Sequence, residues 1–142
     1  MKKIGVFVLA AMILAATAGC TGTMDGVIRQ DAARLQINYT DSRIAAAELM
    51  TVLPSGELFR GKPEKFDPAK EMMAAGAAAS TDTSDSFPAL QSFPGNVRAT
   101  LTGNQGNKIG CRFRLTDGMI GFSSGGFGLC QMSDGRVIDV FF

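Results

Sequence analysis

Asn107 to Phe142 reads NKIGCRFRLTDGMIGFSSGGFGLCQMSDGRVIDVFF, and its reading decides the fold. Ile109, Cys111, Phe113 and Leu115 alternate with Gly110, Arg112 and Arg114, the period of two that marks a half-buried strand over Lys108 to Leu115. Phe127 to Met132 and Arg136 to Phe142 read as two further strands, separated from the first and from each other by glycine-rich turns. Ser133-Asp134-Gly135-Arg136 has the Asp-Gly centre of a tight hairpin. Cys111 on the first strand and Cys130 on the second stand where they can meet across the sheet. The reading is a disulfide-stapled meander.

Working outward, Val97, Ala99 and Leu101 alternate with Arg98, Thr100 and Thr102, and residues 103–107 (GNQGN) form a turn. Ala33 to Thr40 is another strand, with Leu35, Ile37 and Tyr39 on one face. Residues 43–53 (RIAAAELMTVL) are open to two readings. Their Ala, Glu, Leu and Met favour helix by propensity. Pro54-Ser55-Gly56 and the returning run Glu57 to Lys62 favour a hairpin, which is the preferred reading because pairing overrides propensity. Residues 63–95 form a proline-punctuated insertion: Asp67 and Pro68 suit the start of a short helix, and the Ala, Ser and Thr tract after it reads as a long mobile loop. The expected fold class is therefore mainly β, about seven strands in a small antiparallel sandwich or partly open barrel with one disulfide.

The N-terminus reads as a targeting segment. Met1-Lys2-Lys3 is basic, and Ile4 to Ala18 is apolar but shorter than the ~20 residues a spanning helix needs. The expected organisation is a signal peptide over 1–19, a lipidated tether over 20–32, and one β domain over 33–142. Cleavage before Cys20 leaves 123 residues, enough for one domain with its own core. Loss of Lys2 and Lys3 leaves 12 basic against 13 acidic side chains. That balance offers no field for nucleic acid.

Thr17-Ala18-Gly19-Cys20 resembles the lipobox of bacterial lipoproteins, with Thr17 where that family usually has Leu. The resemblance implies acylation of the Cys20 sulfur and of the new amino group. Thr21, standing where lipoproteins retained in the inner membrane tend to carry Asp, implies the outer membrane, with the domain facing the periplasm. Ala16-Thr17-Ala18 is also an A-x-A site for ordinary signal peptidase, which would leave Cys20 a free thiol. The C-terminal pattern G-x-G-x-C-x-x-S-D-G-R-x-I-D-x-x-F over Gly126 to Phe142 is similar to that of a group of small, uncharacterised bacterial lipoproteins. It implies export and anchoring without naming an activity.

In an oxidising compartment Cys111 and Cys130 are expected to pair, closing a loop of about twenty residues worth ~3 kcal/mol. The alternative is two buried thiols. Two thiols without any His fall short of a zinc site, and no cofactor is implied. The absence of His also excludes a Ser-His or Cys-His nucleophile. Glu48, Glu57, Asp134 and Asp139 remain as carboxylate candidates, the last two better explained by a turn and a solvated strand face. Ser123-Ser124-Gly125-Gly126-Phe127-Gly128 lacks the G-K-[ST] ending of a phosphate loop and reads as a turn. The candidate anion-binding set is Arg98, Lys108, Arg112 and Arg114, with Arg136 nearby, for lipid phosphate, an anionic cell-wall polymer or an acidic envelope protein. The expected function is a non-catalytic outer-membrane lipoprotein, an envelope interaction or maintenance module. The alternative is a periplasmic inhibitor of a hydrolase such as lysozyme.

Overall fold

A computed structural model describes residues 21–70 and 87–142 of the chain. Residues 1–20, read as a signal peptide and the lipidated Cys20, and residues 71–86, read as part of a mobile loop, lie outside the described residues. The strands are β1 (Gly22–Ile28), β2 (Arg34–Tyr39), β3 (Leu49–Val52), β4 (Leu58–Gly61), β5 (Pro63–Lys65), β6 (Val97–Gly103), β7 (Lys108–Leu115), β8 (Gly126–Met132) and β9 (Val137–Phe141). Each is antiparallel to its neighbours, and the sheet closes on itself because β4 also pairs with β6. The result is an eight-stave up-and-down barrel with β5 as an extra strand. Phe59 lies opposite Gly103, and Pro63, four residues on, lies opposite Ala99, four residues back. β4 and β5 thus run in one register along β6, as a single stave interrupted near Lys62. β5 pairs with β6 alone, an edge setting where a proline at its first residue costs no ladder hydrogen bond.

The strands foreseen from the period-of-two pattern are present, and residues 43–53 resolve as the hairpin: turns over 43–47, then β3, a turn and β4. Residues 68–70 are helical, with Asp67 Oδ1 accepting from the Ala69 N–H as an N-cap would.

The stretch read as a tether, 20–32, differs. Its residues 22–28 are β1, which pairs with β2 on one side and β9 on the other. That strand is the stave that closes the ring, so the barrel is complete rather than partly open. Residues 63–65 likewise belong to the sheet and not to the insertion.

An eight-stranded barrel has an interior just wide enough for side chains to fill. Met24, Ile28, Ile37, Leu49, Phe59, Leu101, Ile109, Phe113, Ile138 and Val140 fill it, each at most 1% exposed. The outer positions carry Asp25, Arg34, Gln36, Asn38, Arg60 and Arg114, all exposed. A barrel spanning a bilayer shows an apolar band outside and a polar lumen; this one has the reverse. Among the described residues no helix is long and apolar enough to cross a membrane.

The two ends are unlike. The connections 29–33, 53–57, 104–107 and 133–136 are tight turns at one end. The connections 40–48 and 116–125, the end of β5, the start of β6, the start of β1 and the C-terminus lie at the other. The 3-10 turn Phe122–Ser124 plugs this second end. Phe122 stacks on Tyr39 at 5.3 Å and meets Phe113 and Phe142 edge-on at 5.7 and 5.8 Å. Ser42 on the 40–48 loop locks the plug: its Oγ donates to the Ile120 carbonyl, and its own carbonyl accepts from the Phe122 N–H.

Candidate functional site

Arg98 and Arg112 are direct cross-strand partners on the outer wall of β6 and β7, and Arg114 lies two residues further along the same face. Like charges set opposite each other repel. Four contacts offset the repulsion here. Both guanidiniums lie over the Phe66 ring, at 5.6 Å for Arg98 and 5.1 Å for Arg112. Arg98 Nε donates to Glu64 Oε1 at 2.6 Å, and Arg112 donates to the Leu90 carbonyl at 2.8 Å. Arg114 donates to the Pro94 carbonyl at 3.3 Å.

The structure brings these three arginines together and leaves Lys108 apart. Lys108 stands at the tight-turn end of β7, four residues from Arg112, and Phe87 packs over Gly110 between them. Arg136 lies in the β8–β9 turn, where its Nε donates to Asp134 Oδ2.

The carbonyls that Arg112 and Arg114 hold belong to residues 87–95, a strap laid along the outside of β7 and β8. Phe87 and Leu90 form a second apolar cluster with Leu129, joined by Ala89, Phe93 and Val137. Gln131 Oε1 accepts from the Ala89 N–H beneath it. The sequence placed the arginines on one face but gave no sign of the strap or of Phe66, which come from the insertion, or of Glu64, which β5 sets opposite Arg98.

The carboxylates are each engaged locally. Glu57 is 3% exposed and sits in the β3–β4 turn. Its Oε1 accepts from the Gln105 and Asn107 N–H groups and its Oε2 from Asn107 Nδ2, so it holds the neighbouring β6–β7 turn. Asp139 forms a two-point ion pair with Arg29 at 2.7 and 2.8 Å, across the β1–β9 seam. That hydrogen bond raises the Arg29 pKa above its usual value. Asp134 caps its own hairpin turn, and Glu48 approaches Arg60 at 4.0 Å. Asp41, in the 40–48 loop, is held down to about 2 by hydrogen bonds from the Arg43 side chain and backbone.

Cys111 and Cys130 face each other across β7 and β8 and are bonded, their sulfurs inside the barrel. Gly121 and Gly125 take positive φ in the turn before β8, and so does Gly126 where that strand begins, as the turn reading of the Ser-Gly run requires. A groove of about 570 Å³ runs along the outside of β1 to β3, lined by Asp25, Arg34, Gln36, Asn38 and Val52 among others. It was not foreseeable without β1. Compared with protein-family models, with curated proteins and with solved structures, the chain matches none.

Proposed function

We propose that the protein is a bacterial envelope lipoprotein: a disulfide-bonded β-barrel module held to the outer membrane through acylated Cys20, working by interaction and not by catalysis. The observation that carries this reading is the division of its three cysteine sulfurs. Two are joined inside the barrel, as suits an oxidising compartment. The third, Cys20, follows a basic and apolar leader and stands two residues before the first strand. Acylation of both its sulfur and its amino group supplies the two signals that stable anchoring requires.

The packing of the barrel supports an interaction role, since its lumen is filled with side chains and recognition falls to the outer wall. The wall of β6 and β7 carries the Arg98, Arg112 and Arg114 cluster, chemistry suited to carboxylate or phosphate groups on an envelope partner.

Expression of Cys20→Ala in the native host, with fractionation and intact-mass measurement, tests the reading. The wild type is expected in the membrane fraction with the mass of its acyl chains. The variant is expected in the soluble periplasmic fraction. An unmodified wild-type cysteine, or a variant that still sediments with membranes, would refute it.

A further inference from the structure

We infer that the loop-bearing end of the barrel rests on the bilayer, with Met119 and Ile120 inserted at the headgroup boundary and the four tight turns pointing away from the membrane. The inference rests on the acylation of Cys20 proposed above, and adds an orientation and a second, non-covalent contact.

Five large apolar side chains are exposed among the described residues. Met119 is 90% exposed, Phe141 56%, Ile120 54% and Phe127 47%, and all four stand at the loop-bearing end. Only Val52, at 55%, lies towards the other end. Phe127 and Phe141 are direct cross-strand partners on the outer wall, and Phe93 meets Phe127 edge-on at 5.7 Å. Phe141 in turn lies opposite Asp25 of β1, three residues from that strand's start.

The exposure of Met119 and Ile120 is built into the loop. Asp117 Oδ1 accepts from both of their N–H groups, at 2.8 and 3.2 Å. Ser42 Oγ donates to the Ile120 carbonyl at 2.8 Å, and the Gly121 N–H donates to the Asp117 carbonyl. With its backbone so pinned, the turn holds two bulky apolar side chains outward. An outward apolar cluster of this kind marks an interaction surface.

The chain itself identifies what covers it. Cys20 precedes Gly22 by two residues, which reach at most ~7 Å when fully extended. The acylated end therefore holds this rim, and no other part of the barrel, at the level of the lipid headgroups. Arg34, Gln36 and Arg60 further down the wall keep the rest in water. Apolar side chains buried at the acyl boundary add to the affinity of a lipid anchor.

The test uses acylated full-length protein in vesicles of phosphatidylethanolamine and phosphatidylglycerol, with intact mass measured first. Met119→Cys and Ser55→Cys each supply a thiol for a fluorescent label, the other cysteines being acylated or paired. Nitroxide-bearing lipid is expected to quench the label at 119 several-fold more than the label at 55, and aqueous iodide the reverse. Equal exposure of both labels to iodide on acylated protein overturns the docking and leaves the anchor standing. A label at 119 shielded from iodide but untouched by nitroxide lipid also overturns it, in favour of a second copy or another protein on the rim. Unacylated protein removes the anchor, and the docking with it.

Discussion

Glu57 shows how one buried carboxylate can be structural. It lies in the β3–β4 turn, yet its oxygens accept from two backbone N–H groups and one side-chain amide of the β6–β7 turn. Two turns at the tight-turn end are thereby joined without a strand between them. Removing the acceptor leaves the Gln105 and Asn107 donors without their partner in a part-buried site. Glu57→Ala is expected to cost about 2–3 kcal/mol in urea unfolding, with the m-value unchanged. Glu57→Gln is expected to cost less, since one oxygen still accepts. Equal stability of all three proteins would show that water replaces the carboxylate freely. The sequence offered Glu57 as a catalytic candidate because a carboxylate beside a turn carries no mark of its partners, which lie some fifty residues along the chain.

Among the strands, what was legible depended on what each places inside. β7 shows Ile109, Cys111, Phe113 and Leu115 inward, and its bounds are those read from the pattern. β1 places Gly22, Met24, Gly26 and Ile28 on the inward phase, so half of its apolar signal is missing. A side chain at Gly26 would force its neighbours to shift. A Cβ there would meet Leu35 Cδ1 at 2.9 Å and Ile138 Cγ2 at 3.1 Å, so two neighbouring staves already occupy the space. The arginine face was half legible for a related reason: alternation puts Arg98, Arg112 and Arg114 outward, but nothing local reveals the strap that two of them hold. The disulfide belongs to this scale as well, since it bonds β7 to β8 within the core and closes a loop of nineteen residues' separation. The pair Cys111→Ala and Cys130→Ala together should lose about 3 kcal/mol from the freed loop. That lowers the melting temperature by roughly 10 °C in calorimetry, by the usual ratio of free energy to unfolding entropy. An unshifted transition would mean that the unfolded chain gains nothing from the release.

At the scale of the molecule, every stave pairing but one joins neighbours in the chain, and a single seam makes the sheet a ring. That seam is β1 against β9, reinforced by the Arg29–Asp139 ion pair between residues 110 apart in sequence. It is the contact with the longest loop to close, and it removes two edges at once. Without β1 in place, β2 and β9 would each present an unpaired row of N–H and C=O groups, the template on which sheets associate. Gly26→Pro tests this. Gly26 pairs with Leu35 on one side and Val140 on the other, so a proline there removes an N–H from a strand with no free edge. We expect a loss of at least about 3 kcal/mol and concentration-dependent oligomers in sedimentation velocity, since the opened staves will pair with other copies. Gly26→Ala serves as the companion variant. It crowds Leu35 and Ile138 while keeping the N–H, so it should cost stability but stay monomeric. If both variants associate alike, the oligomers arise from a disturbed core. If neither does, β2 and β9 tolerate an open edge, and closure by β1 contributes stability without guarding against aggregation.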